Sequence, residues 1–406
     1  MSEPPLLGVA GHWGSAEIAL ARRFNDLHQL IYTRGGIRPS NAAVEEVAKL
    51  ALIRLYSLDQ PSADLGSGVR AGDLFRPGVG AEAFARAFAK ALASPSLVAV
   101  DPTGRSHPIW PPDEPFRLTD DSVLVTAAAL IADILDDGTA RASDPLGTAF
   151  DALLAGRYDH AGGLGTYLTP SGVARMMADI AADLVDASTI DGPGFGDPYC
   201  GTGRFLVAML EVLRERGQHQ LLGAGPFGAD QSASSVAKAR INMLLYGVHR
   251  PLVWTVRDSV TDSDLDRLNG TVPLILTNPP FGEGKYDDPI GLARTASAIP
   301  RLAGRGRIDP SLACLARALR LLAPGGVLGI VLPDGVAASP AFADLVLGRG
   351  SPLAAEVDVA ANVSLPTATF ALSGTVAKTS AVFIRRARPP RHVVLARVEH
   401  VGYLRQ

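Results

Sequence analysis

Four consecutive residues, Asn278-Pro279-Pro280-Phe281, end the apolar run Leu274-Ile275-Leu276-Thr277. A strand that stops on this tetrapeptide sets an amide oxygen, backbone carbonyls and a flat ring together at one edge of a sheet. The prolines fix φ and carry no N–H, so the turn is stiff and its carbonyls stay open to a ligand. This set suits a planar molecule with an exocyclic amino group. The ring stacks on the plane, while the amide and a carbonyl accept hydrogen bonds from the NH2. Asn-Pro alone is an ordinary turn signal, so the weight of the reading comes from what surrounds it.

Upstream, the loop Asp197-Pro198-Tyr199-Cys200-Gly201-Thr202-Gly203 follows Gly194-Phe195-Gly196 and opens a helix at Arg204-Phe205. Its glycines permit positive φ and close backbone approach. Asp197 argues against a phosphate at that spot and suits a cation or hydroxyls. Asp230 ends the next strand candidate, where an acid can take two ribose hydroxyls. One strand later Asp258-Ser259 is placed to accept from an adenine amine, and the strand after that ends in Asn278. S-adenosylmethionine (SAM) carries a sulfonium, an amino acid and a ribose and no phosphate, which fits this series of acceptors. Turn and capping chemistry explains most lone aspartates. It explains poorly a polar residue at each of four successive strand ends.

Other motifs carry less. Gly223-Ala224-Gly225-Pro226-Phe227-Gly228 matches G-x-G-x-x-G, but Pro226 interrupts it, and a dinucleotide site needs that motif to open a helix. Gly282-Glu283-Gly284-Lys285 lacks the spacing of a phosphate loop. Cys200 has no histidine near it in sequence and reads as a small residue in a tight turn. The eight histidines show no metal-ligand spacing, so no metal is expected.

The elements that must position these residues follow from periodicity. Apolar residues three and four apart predict helices over 16–30, 41–57, 81–92 and 120–135. Beyond about Asp144, helices alternate with short apolar runs. Helices are expected over 171–185, 204–216, 232–246 and 310–322, and strands over 221–230, 251–256, 272–277 and 327–332. This alternation predicts an open, mostly parallel sheet with helices on both faces. Runs near 355–363, 379–385 and 392–398 are expected to pair antiparallel at an edge. The domain boundaries expected are 1–142 for a helical domain, 143–390 for the catalytic domain and 391–406 for a short strand and tail.

Composition bounds the class. The chain has 406 residues, 47% hydrophobic and 19% charged, which suits a globular protein with a sizeable core. No apolar segment approaches the roughly 18 residues of a membrane span, and the first residues lack a secretory pattern. Two cysteines fit a reducing cytoplasm. The net charge of −3 means that any duplex DNA contact must use locally clustered arginines or a partner's cations.

Asp197 to Leu206 resembles the SAM-binding signature of amino-group DNA methyltransferases, and Asn278 to Phe281 their catalytic signature. Gly165-Thr166-Tyr167-Leu168-Thr169-Pro170 resembles the segment that precedes the SAM loop in the adenine-N6 group. This order is similar to the gamma arrangement. Further segments, 144–150, 239–247, 322–326 and 331–335, resemble the modification subunit of type I restriction-modification systems. The resemblance implies a class I, Rossmann-like SAM-dependent methyltransferase: an α/β doubly wound sheet with an antiparallel edge strand, preceded by an all-helical N-terminal domain. It implies a cytoplasmic, DNA-binding enzyme that methylates adenine N6 of a flipped base. Cofactor contacts are expected from Tyr167, Thr169, Pro170, Asp197, Cys200, Gly201, Thr202, Gly203, Phe205, Asp230, Asp258 and Ser259, and catalysis from Asn278, Pro279, Pro280 and Phe281. No segment looks like a target-recognition domain, so a separate specificity subunit, with a restriction subunit beside it, is the expected partner. The tetrapeptide serves any amino acceptor, so RNA, a glutamine side chain or a small amine stays open beside DNA. A non-catalytic SAM-fold scaffold is the remaining alternative.

Overall fold

A computed structural model describes residues 15–38, 40–136, 169–186, 190–281, 284–370, 377–386 and 393–399. The chain divides into two compact units. The first holds the described residues up to Ala99, Ser106 onward through the helix that ends at Asp136, and Arg240–Pro251. The second holds Val100–Arg105, the chain from Ser171 to Ala239, and Leu252 onward.

The first unit is built on α1 (Ser15–Gln29), α2 (Ser40–Asp59), α3 (Ala81–Ala93) and α4 (Asp121–Asp136). These lie within a few residues of the periodicity-based spans. A π-helical turn, Leu30–Arg34, extends α1 and was not foreseen. Helix starts follow local chemistry: Asp121 Oδ1 accepts from Ala81 N–H at 2.7 Å, and Asp120 Oδ1 accepts from Ser122 N–H at 2.9 Å. Each satisfies a donor that has no partner within its own helix. Leu27, Ile31, Val47, Phe84, Phe88, Leu124 and Ile131 are buried. Among them, Lys49 is enclosed and donates to Glu46, Glu114 and the Pro115 carbonyl at 2.8, 2.7 and 2.7 Å. A buried ammonium needs such partners because desolvation would otherwise cost several kcal/mol, as an order of magnitude.

Two short strands, β1 (Ala99–Val100) and β2 (Ser106–His107), pair with each other. The second unit is organised by a sheet of β3 (Phe195–Asp197), β4 (Pro226–Asp230), β5 (Leu252–Thr255), β6 (Val272–Thr277), β7 (Leu322–Pro333), β8 (Asp358–Ser364), β9 (Thr379–Arg385) and β10 (Val394–Arg397). Their spatial order is β10-β8-β9-β7-β6-β3-β4-β5. All neighbours are parallel except β9, which runs against both β7 and β8. The strand β6 is buried at every position, as expected where helices cover both faces of a parallel sheet.

The helices here are α5 (Ser171–Leu184), α6 (Arg204–Glu215), α7 (His219–Ala224), the first half of α8 (Ala233–Leu245), α9 (Pro289–Ala298), α10 (Pro310–Leu321) and α11 (Pro340–Val346), with single turns at Ser263–Asp266 and Asp334–Ala337. Leu312, Leu315 and Leu319 of α10 join Phe227, Ile275 and Leu328 in one apolar cluster on one face of the sheet. The helices α5 and α6 pack on each other and against β6 without joining that cluster, which places them on the other face.

Three expectations are corrected. The run 221–230 is not one strand: His219–Ala224 forms a helical turn, Gly225 follows at φ 75°, and the strand starts at Pro226. This also disposes of the G-x-G-x-x-G reading, since the motif leads from a helix into a strand rather than from a strand into a helix. The third C-terminal strand, β10, pairs parallel to β8 rather than antiparallel to its neighbour in sequence. The antiparallel strand β9 is therefore flanked on both sides instead of lying outermost. Among the described residues no helix is long and apolar enough to cross a membrane.

Candidate active site

The strand order brings the predicted residues together. β3 lies between β6 and β4, and β5 lies beyond β4, all four parallel. Their carboxyl ends therefore share one rim, in the order Asn278, Asp197, Asp230 and the Asp258-Ser259 turn. Chain order and spatial order reverse at β3, which is where open α/β sheets hold ligands.

The loop from Pro198 to Gly203 is stitched to that rim. Asp197 Oδ1 accepts from Tyr199 N–H at 2.9 Å. Asp230 Oδ2 accepts from Gly201 N–H at 2.9 Å, and its Oδ1 from Ser232 N–H at 2.8 Å. Ser259 Oγ donates to the Pro198 carbonyl at 2.6 Å, and Cys200 N–H donates to the Ala229 carbonyl at 2.9 Å. Gly201 and Gly203 take φ of 51° and 90°, a region that side chains with a Cβ rarely enter. The loop then turns directly into α6. Cys200, Thr202 and Phe205 are all buried.

Burial gives the two acids unusual titration. It pushes the Asp197 carboxyl up to about 7, and the nearby charge of Asp230 pushes the same way. Burial also raises Asp230, against the hydrogen bonds from Ser232 and Gly201 that favour its charged form. An enclosed pair of acids of this kind is suited to a cation and to hydroxyl donors. Cys314 lies under the same region, where burial drives its thiol up to about 12, so it is no nucleophile.

Asn278 is half-buried at the end of β6, and its Nδ2 donates to Thr169 Oγ1 at 3.2 Å. Thr169 and Pro170 stand directly before α5, so the segment ahead of that helix touches the tetrapeptide. Tyr167 lies outside the described residues, as do 144–150, Gly282 and Glu283. Phe281 is only 5% exposed. Its ring meets Phe370 edge to face, with centroids 5.8 Å apart and planes at 75°. Phe370 follows β8 and is nearly 90 residues away in sequence; no local signal marks it. Asp258 Oδ1 accepts from Val260 N–H at 2.9 Å, and its Oδ2 accepts from Tyr286 Oη at 2.6 Å. Tyr286 was the second partner that the sequence did not disclose.

This sheet, with acids on successive strand ends and an Asn-Pro-Pro-Phe turn beside them, defines a class I SAM-dependent methyltransferase fold. A methyltransferase subunit of the type I restriction-modification system of Streptococcus thermophilus superposes with a TM-score of 0.59 at 16% identity, covering 94% of this chain and 87% of that one. Residues 141–399 match the model of the N-6 DNA methylase family, and the chain belongs to that family. It is similar to the type II methyltransferase M.MamI of Microbacterium ammoniaphilum, 52% identical over 322 residues, which are 76% of this chain and 88% of that protein. It is also similar to the methylase subunit of the type I restriction enzyme EcoEI of Escherichia coli, 27% identical over 244 residues, which are 57% of this chain and 45% of that subunit.

Proposed function

We propose that the protein transfers a methyl group from SAM to N6 of adenine in DNA, as the modification enzyme of a restriction-modification or related defence system. The observation that carries this reading is the run Asn278, Asp197, Asp230, Asp258 along adjacent strand ends. The donor set fits SAM. Carboxylates stand at the ends of β3 and β4 and in the turn after β5, matching an ammonium, ribose hydroxyls and an adenine amine. Asp197 would sit at the amino-acid end, Asp230 at the ribose and Asp258 at the adenine, with the 198–203 loop backbone between them. SAM supplies an electrophilic methyl on its sulfonium.

The protein's own residues prepare the acceptor. The target nitrogen lies inside the duplex, so the base must be flipped into the pocket. Asn278 Oδ1 and the Pro279 carbonyl accept the two N6 hydrogens, and Phe281 offers its face to the ring. These contacts draw the nitrogen lone pair out of conjugation and aim it at the methyl. With SAM bound there, the new N–C bond would form as the S–C bond breaks, S-adenosylhomocysteine would leave, and the nitrogen would lose one proton to water. No strong base is needed beforehand, because the proton becomes acidic only as the bond forms. Alignment supplies much of the rate. Phe281 is only 5% exposed, so a base can lie on its ring only after neighbouring groups shift.

DNA is the acceptor that the family supports over RNA, glutamine or a small amine, and an intact set of site residues supports an enzyme over a scaffold. Partners follow from two relatives that differ. The EcoEI relative is a subunit of a type I enzyme, which supports recruitment of a separate specificity subunit. The 52% identity to a type II methyltransferase supports a chain that selects its own site. Purified protein alone, unmethylated DNA and labelled SAM separate these readings. N6-methyladenine at one site indicates autonomous specificity. N6-methyladenine only after a specificity subunit is added indicates the subunit reading. Label in cytosine, or none in DNA under either condition, would overturn the proposal.

A further inference from the structure

The rim contains a tie that methyl transfer does not itself require. Tyr286 lies in the segment after the Asn278 tetrapeptide, and its hydroxyl reaches across to Asp258 Oδ2 at 2.6 Å. The tyrosine is pinned at its backbone as well. Its N–H donates to the Ile308 carbonyl at 2.9 Å, and its carbonyl accepts from Ile308 N–H at 3.0 Å. Its ring lies over Gly291 in α9, where a Cβ would come within 1.9 Å of the Tyr286 oxygen. The glycine therefore clears the space through which the hydroxyl reaches the acid.

Asp258 is held from its own side too. Its Oδ1 accepts from Val260 N–H at 2.9 Å, and Thr261 Oγ1 approaches Oδ2 at 3.3 Å. The next residue, Ser259, anchors the 198–203 loop. A carboxylate offers about four acceptor directions, so these donors orient the group and leave room for one more. Burial and the adjacent Asp258 charge hold the Tyr286 hydroxyl well above the ordinary tyrosine range, so it remains a donor throughout the working pH range.

We propose that Tyr286 is a positioning residue for the cofactor's adenine. It fixes the Asp258 carboxylate so that a remaining lone pair meets the exocyclic amine, and it ties the segment after the acceptor tetrapeptide to the adenine corner. This rests on the placement of Asp258 proposed above. An order-giving hydrogen bond of this kind acts on selectivity. It matters for a ligand that donates to Asp258 and not for one that cannot.

The test uses the full chain and two ligands, S-adenosylhomocysteine and S-inosylhomocysteine, the second carrying a carbonyl in place of the amine. Titration calorimetry gives both affinities for the wild type and for Tyr286→Phe, which keeps the ring over Gly291 and the backbone bridge. The wild type is expected to prefer the adenosine compound. The variant should lose about fivefold in affinity for it, the scale of one hydrogen bond, and little for the inosine compound. Equal weakening of both, or an unchanged preference, would assign Tyr286 a purely structural role and overturn the proposal. In an Asp258→Ala background, which removes the acceptor, Tyr286→Phe should cost nothing further, whereas additive losses would also overturn it. If the wild type binds both compounds equally, the Asp258 placement fails and this proposal with it. If it binds neither, the methyl-donor reading itself is wrong.

Discussion

Thr169 and Asn278 are joined by a hydrogen bond of 3.2 Å, from Asn278 Nδ2 to Thr169 Oγ1. An amide that donates from its nitrogen has its oxygen directed by the same torsion. The threonine ahead of α5 therefore sets where the Asn278 acceptor points. Removing that hydroxyl with Thr169→Val should lower kcat about tenfold through lost alignment, with little change in SAM affinity. Steady-state kinetics with DNA in excess, beside calorimetric SAM titration, would show the split. A change confined to SAM binding would place Thr169 with the donor instead.

Asn278→Ala removes the amide itself. Turnover should fall below detection while SAM still binds near wild-type strength, since the proposed grip on the donor lies at Asp197, Asp230 and Asp258. Normal methylation by this variant would remove Asn278 from the mechanism.

In the proposed site, Asp197 should make donor binding depend on pH. With its carboxyl near 7, the ionised form that pairs with the donor's ammonium is populated only as pH rises through that value. SAM affinity should therefore climb between about pH 6 and 8 and then flatten. Stability runs the other way. The folded carboxyl holds its proton up to about 7, against 3.8 for an ordinary aspartate, so the native state binds more protons across that window. The ligand-free protein thus loses stability as pH rises from about 4 to 7. Asp197→Asn should raise the melting temperature of the ligand-free protein at pH 8 and weaken SAM binding. Differential scanning calorimetry at pH 5 and pH 8 reads the sign directly.

Ser259→Ala removes the donor to the buried Pro198 carbonyl. Leaving that carbonyl without its partner should cost about 1–3 kcal/mol in urea denaturation. Because the 198–203 loop backs the donor in the proposed site, SAM affinity should fall in parallel.

Lys49→Met tests the first unit independently. It leaves Glu46 and Glu114 without their ammonium. Removing one partner of a buried ion cluster costs about 3–5 kcal/mol. Burial already raises Glu46, so the carboxyl can escape by taking a proton. The loss should be smaller at pH 5 than at pH 8, and equal losses would show that Glu46 stays charged.

Much of the site was legible because it is local. Asp197, Asp230, Asp258 and Asn278 each close a short apolar run, and period-two or period-3.6 patterning marks the elements that carry them. What sequence order could not supply was pairing across distance. Phe370 reaches Phe281 only because β8 and β9 fold back beside β7, and Tyr286 reaches Asp258 only because the turns after β5 and β6 converge. The placement of β10 against β8 has the same cause. The α7 turn was missed for another reason: Leu221 and Leu222 are as apolar as a strand, and only Gly225 marks the break.

The middle of the rim is a three-residue strand, Phe195–Asp197, with Asp230 and Asp258 on one flank and Asn278 on the other. Gly196, at its centre, leaves no space of its own: a Cβ there would meet the Phe227 ring at 1.9 Å. In the proposed site, substitutions in this strand would disturb both ligands at once. The turn beyond β6 is also tied to the proposed donor side, through Tyr286 and Asp258, so a change that reaches the base alone would have to arise beyond β8, near Phe370.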